Sequence, residues 1–186
     1  SLGMTWAALP TVFGFKGARH AGKFMGLAEY ADEYPESLRI KMKDIISVDG
    51  MKIYNDFRRS RICGSSYEDR VLKLKQMFGE YSAAEVSYAL QRRTEEIVGR
   101  FAQAAVDNTG CPDVVVAGGI FANVKVNQVI YETDVVDGIW VHPNMGDGGL
   151  GAGAAFLASD KATPQQLDDV YLGPKYDTEA IDEAIE

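Results

Sequence analysis

The chain has 186 residues, of which 46% are hydrophobic and 25% charged, a composition typical of one globular domain. Its 27 acidic and 19 basic side chains give a formal net charge of −8, which repels a phosphate backbone and argues against nucleic-acid binding. Cys63 and Cys111 form no CxxC motif, which excludes the common zinc spacings and a disulfide framework and favours a reducing, cytoplasmic compartment.

No apolar run approaches the roughly 20 residues that a membrane-spanning helix needs, and residues 1–10 lack the charged and apolar regions of a signal peptide. We therefore expect a soluble protein with no membrane partner. Since the chain begins with Ser1 and not with Met, we also expect it to be an excised piece of a longer protein. Whether Ser1 and Leu2 are native residues stays open.

The first part of the chain gives weak local signals. Residues 3–31 are rich in glycine and aromatic residues without clear periodicity, which predicts loop and short helix near the surface. Two strand-like runs, 45–48 and 51–54, flank an Asp-Gly dipeptide that tolerates positive φ and so predict a β-hairpin. Residues 56–81 are charged and weakly periodic, and we interpret their arginine cluster as a solvated face in preference to an anion site. The cluster consists of Arg58, Arg59 and Arg61.

A long helix is predicted over residues 83–107, and we expect it to be the longest in the protein. Ser82 followed three residues later by Glu85 is a capping-box pattern, which starts a helix. Gly110 and Pro112 end it, because glycine can adopt the left-handed cap and proline cannot continue a helix. The apolar residues at near-helical spacing are Val86, Leu90, Ile97, Phe101 and Ala105.

Two short apolar runs then predict strands buried on both faces, at 113–117 and 138–142. Each ends in a glycine-rich turn and is followed by a predicted helix, at 121–131 and 150–159. This alternation predicts an α/β fold with a mixed sheet flanked by helices. Residues 177–186 are acidic with few apolar anchors, and we interpret them as a tail or a linker to a missing domain.

Both glycine turns place backbone N–H groups at the start of a helix, where the helix dipole also favours an anion. This arrangement suits a phosphate, although glycines at such turns can also serve tight packing alone. The sequence lacks both GxxxxGK[ST] and GxGxxG, which argues against P-loop and Rossmann sites. A nucleotide site and a purely structural turn both stay open at this point.

Four blocks of sequence share their order and spacing with one known family. They are Gly22-Lys23-Phe24-Met25-Gly26-Leu27-Ala28-Glu29-Tyr30, Leu90-Gln91 with Glu95, Gly118-Gly119-Ile120-Phe121-Ala122-Asn123 with Asn127, and Pro143, Gly146, Asp147, Gly148 and Gly149 with Gly153-Ala154-Ala155. Together they resemble the O-carbamoyltransferases, which include the nodulation carbamoyltransferases and those of cephamycin and aminoglycoside biosynthesis. The resemblance covers residues 1–176.

The resemblance implies a two-domain enzyme whose N-terminal domain has an actin-like, ribonuclease H-like ATPase fold. That domain transfers a carbamoyl group from carbamoyl adenylate to a hydroxyl of a small molecule, and a C-terminal domain makes the adenylate from carbamoyl phosphate and ATP. This chain would be the second half of the transfer domain, residues 1–176, followed by 177–186 as the linker. We expect the isolated chain to be inactive and to self-associate through apolar surface that the missing half would cover.

The resemblance also implies the site residues, although it names no catalytic residue. Asn123 would fix ribose or phosphate through its side-chain amide, whereas Asn127 is equally explained as a helix surface or capping residue. Lys23 could hold a phosphate or carbamoyl oxygen, although an exposed surface lysine is the simpler explanation. The full nucleotide-binding set is Gly118, Gly119, Asn123, Asn127, Gly148 and Gly149.

Asp147 is the candidate metal ligand. A carboxylate beside polyphosphate is repelled unless a cation lies between them. In the family, the aspartate of this segment joins two histidines of a His-x-x-x-His motif around a divalent ion, which we expect to be iron or manganese. This chain lacks that motif, because its only histidines are His20 and His142. The alternative is that Asp147 caps the helix that starts near Leu150.

Two positions depart from the family pattern. Ala21 stands where glutamate is usual, and Ala31 stands where glycine is usual. A lost carboxylate would imply a different acceptor, although drift within the family explains both changes. Two other functions stay open: a non-catalytic actin-like nucleotide-binding module, and a threonylcarbamoyl transferase of tRNA modification. The acidic charge and the Gly-Lys-x-Met-Gly-Leu-Ala block argue against the second.

Overall fold

The computed structural model describes residues 2–31, 33–55, 66–159, 170–171 and 173–185. The chain forms two units, Ser1–Asp147 and Gly148–Glu186. The predicted arginine cluster and Cys63 lie outside the described residues. Within them, no helix is long and apolar enough to span a membrane.

The first unit is built mainly of helices, with two small sheets. Its helices are α1 (Leu2–Val12), α2 (Ala21–Gly26), α3 (Glu36–Ile45), α4 (Tyr67–Phe78), α5 (Ala83–Thr109) and α6 (Val124–Tyr131). Its strands are β1 (Ile46–Asp49), β2 (Lys52–Asn55), β3 (Asp113–Val116) and β4 (Gly138–Val141). Short 3-10 turns occupy Gly17–His20, Leu27–Tyr30 and Gly119–Ala122.

The prediction of loop and short helix near the surface for residues 3–31 is only partly right, because the first of these residues lie in α1, a helix of 11 residues with buried side chains. Leu2, Trp6 and Leu9 lie at positions i, i+4 and i+7, which share one face of a helix, and all three are buried. The surrounding glycine and proline composition hides this stripe in the sequence. Phe24 is fully buried in this region, and its ring packs against those of Phe13 and Phe15.

The predicted β-hairpin is confirmed, with both strands one residue further along the chain than expected. β1 and β2 pair antiparallel, with Val48 opposite Ile53. The turn between them contains Gly50 at φ +51°, a left-handed conformation that favours glycine.

The charged stretch after the hairpin contains a helix that the sequence reading missed. Ser66 caps α4 reciprocally: its Oγ accepts a hydrogen bond from the Asp69 N–H at 3.1 Å, and its own N–H donates to Asp69 Oδ2 at 3.3 Å. Leu74 and Phe78 are fully buried on this helix. The described part of this stretch is therefore amphipathic, with a buried face.

The predicted long helix is confirmed as α5, with 27 residues the longest of the described helices. Ser82 and Glu85 form the predicted capping box, and Gly110 ends the helix at φ +69°. Leu90 and Ile97 are fully buried on it, so α5 runs through the core of the first unit. A built-on Cβ at Gly99 would lie only 3.0 Å from Val129 Cγ1, so the missing side chain lets α6 approach α5 closely.

The sequence predicted one mixed sheet with buried strands, whereas the described strands form two separate two-stranded sheets. β3 and β4 lie where predicted and pair parallel, with Val115 opposite Trp140. One side of this pair packs against the core through Val116, whereas Val115 is 71% and Trp140 52% exposed. Burial on both faces was therefore a wrong expectation for these strands, because Val115 and Trp140 are exposed and Val116 is buried.

The second unit contains α7 (Leu150–Ala158) and α8 (Thr178–Ile185). α7 is the predicted small-residue helix, and none of its residues is buried. α8 lies where a tail or linker was expected. The Asp177 side chain starts this helix by accepting a hydrogen bond from the Ala180 N–H at 2.9 Å.

Candidate functional site

A cavity of about 650 Å³ lies in the first unit, between α1, α2, α5 and the turn at Gly118. Its wall is mainly apolar, and none of the described residues that line it carries a charge. Gly118, Gly119 and Asn123 are also among the residues that line it. The largest apolar side chains in the wall are Leu2, Trp6, Met25, Ile53, Phe101, Ile120 and Phe121.

The turn between β3 and α6 requires glycine at its first position. Gly118 adopts φ +118° and ψ +149°, a region open only to glycine at low cost. Its N–H donates to the Met145 carbonyl at 2.6 Å, which joins the first glycine turn to the segment that follows β4. Gly119 has ordinary φ, and a Cβ built on it would meet no atom within 4 Å. Gly119 and Ile120 are the first residues of a 3-10 turn, so their N–H groups have no acceptor inside that turn.

Asn123 is buried, and its side-chain amide bonds mainly to the protein itself. Its Oδ1 accepts a hydrogen bond from the Val126 N–H at 3.3 Å and so caps α6. Its Nδ2 donates to Gln91 Oε1 at 2.7 Å, and Gln91 Nε2 donates back to Asn123 Oδ1 at 3.3 Å. An amide nitrogen has two N–H groups, so these bonds leave one N–H of Asn123 for another acceptor.

Gln91 also bonds to Glu95, one turn further along α5. Its Nε2 donates to Glu95 Oε1 at 2.8 Å, and Arg92 Nη1 donates to Glu95 Oε2 at 2.8 Å. Gln91, Glu95 and Asn123 are each less than 9% exposed. These buried, hydrogen-bonded side chains thus connect the middle of α5 to Asn123, the residue directly before α6.

Asn127, on α6, hydrogen-bonds to the same turn. Its Nδ2 donates to the Phe121 carbonyl at 2.8 Å, while its Oδ1 is buried and lacks a hydrogen-bond partner among the described residues. The side chain therefore points into the protein towards the turn. Neither alternative from the sequence, an exposed helix residue or a cap, describes it.

Lys23 has an exposed side chain on α2 and is not among the residues that line the cavity. Ala21 and Gly22, just before it, do line the cavity, so the alanine at 21 leaves that part of the wall uncharged. Ala31 has φ −84° and ψ +120°, which any L-residue adopts. Alanine in place of glycine at position 31 therefore causes no backbone strain.

Asp147 is exposed, and the described residues contain no group of three or more His, Cys, Asp or Glu side chains arranged to hold a metal. Both histidines have other contacts: His20 Nδ1 accepts a hydrogen bond from the Lys16 N–H at 3.1 Å, and the His142 ring packs edge-on against Trp140. These residues alone do not fit a divalent ion. Asp147 is not the N-cap of α7, since Gly149 occupies that position and no side-chain hydrogen bond caps the helix there.

The structure brings part of the predicted site together. Gly118, Gly119 and Asn123 line one cavity, and Asn127 holds the turn between them. Gly148 and Gly149 belong to the 3-10 turn Asp147–Gly149, directly before α7 as predicted.

The sequence did not lead us to assign Gln91 a role in the site. It also did not predict which residues form the cavity wall. The available signal was a glutamine inside the buried stripe of α5, since a buried amide must find partners.

Three comparisons with curated proteins and one family model bear on this site. The family model described as carbamoyltransferase N-terminus matches residues 1–156. An uncharacterized protein of Synechocystis sp. is 26% identical over 201 residues, which cover 98% of this chain and 32% of that protein. Two uncharacterized proteins of Methanocaldococcus jannaschii are 25% and 26% identical, and each match covers 100% of this chain, with 30% and 35% of the relative covered. The chain spans about one third of the length of these relatives.

Proposed function

Because this chain belongs to the carbamoyltransferase N-terminus family, we propose that it is the part of a longer carbamoyltransferase that holds carbamoyl adenylate beside the Gly118–Gly119 turn. Carbamoyl adenylate would come from carbamoyl phosphate and ATP. In the transfer, a hydroxyl oxygen of a small-molecule acceptor attacks the carbamoyl carbon, the bond to the adenylate phosphate breaks, and AMP leaves while the hydroxyl loses its proton.

The observation that carries this proposal is the apolar cavity that opens beside the glycine turn. Its volume of about 650 Å³ is in the range of small-molecule pockets. A nucleoside base is flat and uncharged and suits a wall of Trp6, Val98 and Phe101. The phosphate of the adenylate is an anion and suits the N–H groups at the start of the 3-10 turn. The remaining N–H of Asn123 can donate to a ribose hydroxyl or a phosphate oxygen.

The proposal also includes a divalent metal in the longer protein. Asp147 is the one candidate ligand that the sequence offered, and the described residues do not complete a site around it. Further ligands would have to come from outside the described residues. No step of the proposed transfer is assigned to a metal.

The test begins with nucleotide binding. Calorimetric titration of the chain with AMP and ATP should give saturable binding, and Gly119→Ala should weaken it at least about tenfold, since a methyl group would occupy the space that the ligand approaches. The fold should be unaffected because Gly119 has ordinary φ. Gly26→Ala on α2 is the matched control: its Cβ also meets open space, but Gly26 does not line the cavity. Equal affinity of wild type and Gly119→Ala would refute the site.

A second experiment separates a transferase from a nucleotide-binding module. In the longer protein, AMP release from carbamoyl phosphate and ATP should increase when a hydroxyl acceptor is added, and Gly119→Ala should reduce that increase. Nucleotide binding without any acceptor-dependent AMP release would favour the binding module.

A further inference from the structure

Three buried side chains form a continuous hydrogen-bonded chain between two elements of the first unit. Glu95 and Gln91 lie one turn apart on α5, and Asn123 lies 32 residues beyond Gln91, at the junction of the glycine turn and α6. The successive donor–acceptor distances are 2.8 Å from Gln91 Nε2 to Glu95 Oε1 and 2.7 Å from Asn123 Nδ2 to Gln91 Oε1.

The carboxylate of Glu95 determines the order of donors and acceptors along these three side chains. An ionised carboxylate can only accept, so Glu95 requires the nitrogen of Gln91 on its side. Gln91 must then present its oxygen to the nitrogen of Asn123. Asn123 is thereby oriented with Oδ1 towards the Val126 N–H, which is the orientation that caps α6.

Asn123 also closes the turn that carries the proposed nucleotide site. Its backbone N–H donates to the Ile120 carbonyl at 3.1 Å, at the end of the 3-10 turn that starts at Gly119. Through its side-chain bond to Gln91, Asn123 therefore ties the turn to α5, which also lines the cavity through Val98 and Phe101.

We propose that Gln91 is a positioning residue for the Gly118–Gly119 turn: oriented by Glu95, its amide holds Asn123 so that the turn presents its N–H groups to the cavity. Gln91 does not line the cavity and acts through Asn123 alone. The consequence for the ligand rests on the proposed nucleotide site, whereas the effect on the turn does not.

The test uses Gln91→Met, which keeps the length of the side chain and removes both hydrogen-bonding groups. Gln103→Met is the matched control, because Gln103 Nε2 donates to Asp107 Oδ1 at 2.9 Å, an equivalent i, i+4 pair at the surface of the same helix. Two readouts are needed: affinity for AMP by calorimetry, and the amide resonances of Gly118 and Gly119 in ¹H–¹⁵N spectra.

We expect Gln91→Met to shift both glycine resonances and to weaken AMP binding at least about tenfold, whereas Gln103→Met changes neither. A lower melting temperature with unchanged resonances and affinity would mean that Gln91 serves packing only, and would overturn the inference. If the wild type binds no AMP, the proposed function fails, yet shifted glycine resonances in Gln91→Met would still support the positioning role.

If Gln91→Met does not fold, Glu95→Gln is the second variant. This substitution keeps the shape of the side chain. It removes the carboxylate, which only accepts hydrogen bonds and so orients the Gln91 amide. Shifted Gly118 and Gly119 resonances support the inference, and unchanged resonances with unchanged AMP affinity overturn it.

Discussion

The indole N–H of Trp6 donates a buried hydrogen bond to Thr94 Oγ1 at 3.1 Å, across 88 residues of chain. Thr94 Oγ1 in turn donates to the Leu90 carbonyl on its own helix at 2.7 Å. The contact fixes α1 against α5 at one wall of the cavity, since Trp6 lines it. Loss of this bond is therefore expected to affect both stability and the shape of the cavity.

We predict that Trp6→Phe lowers the free energy of unfolding by about 1–3 kcal/mol, through the lost hydrogen bond and the smaller buried ring. Urea denaturation followed by circular dichroism measures it. Trp140→Phe is the control, because Trp140 is half exposed and should change stability by no more than about 0.5 kcal/mol. Equal effects of the two substitutions would contradict the assigned role of Trp6.

Gly118→Ala is expected to destabilise the chain by about 1–3 kcal/mol, because alanine is strained at φ +118°. Gly119→Ala should leave the free energy of unfolding within about 0.5 kcal/mol of wild type. Urea titration of the pair separates the conformational need for glycine at 118 from the need for space at 119. A stable Gly118→Ala variant would show that the turn tolerates a side chain.

The contact between α3 and the end of α4 should depend on pH. Lys41 Nζ bonds to the Glu80 carboxylate and donates to the Met77 carbonyl at 2.8 Å. The hydrogen bond from Lys41 lowers the pKa of Glu80 below its ordinary value. Since the folded pKa is lowered, this contribution to stability is present at neutral pH and is lost as the pH falls below the ordinary glutamate range towards the lowered value.

We therefore expect Lys41→Met to be less stable than wild type at pH 7, with a difference that shrinks as the pH falls to about 3. Urea unfolding at several pH values measures this. Lys125→Met is the control, since the described structure gives Lys125 no ion pair. A difference between Lys41→Met and wild type that does not change with pH would argue against the lowered pKa of Glu80.

The isolated chain should not turn over carbamoyl phosphate and ATP. It spans about a third of the length of its curated relatives, and the resemblance assigns adenylate formation to a different domain. The measurement is release of AMP or of a carbamoylated acceptor by the purified chain, compared with a heat-inactivated sample. Turnover above that background would overturn this prediction.

The open face of the β3–β4 pair leads us to expect concentration-dependent self-association. Val115 and Trp140 lie side by side and exposed on a parallel pair, a type of sheet that proteins usually cover on both faces. Val115→Lys should suppress association in multi-angle light scattering. Leu72→Lys, at a position 56% exposed on α4, is the control. A wild-type chain that is monomeric at every concentration would contradict the prediction.

The elements that the sequence predicted well are those determined by neighbours along the chain. α5 has a capping box at Ser82 and a left-handed glycine at Gly110, so both its ends could be predicted. The exposed faces of β3 and β4 could not, because the elements packed against a strand decide its burial.

The role of Asn123 shows the same difference between local sequence signals and long-range contacts within the site. The family resemblance implied that Asn123 contacts ribose or phosphate, and Asn123 does line the cavity beside the glycine turn. That its amide pairs with Gln91 depends on a contact across 32 residues, which no local pattern reveals. For the same reason, neither the predicted nucleotide contact of Asn127 nor the alternative of a surface or capping residue included its hydrogen bond to the Phe121 carbonyl.

The close approach of α6 to α5 at Gly99 has a consequence for how the family can vary. Gly99 lies eight residues beyond Gln91, about 12 Å along the helix. At 3.0 Å from Val129, a Cβ would push the two helices apart by a few tenths of an ångström. The amide pair at Gln91 tolerates little such widening, because its longer bond is already 3.3 Å. The absence of a side chain at Gly99 therefore sets the short distance between α5 and α6. Any homologue with a larger residue there should carry a compensating smaller one at the position of Val129.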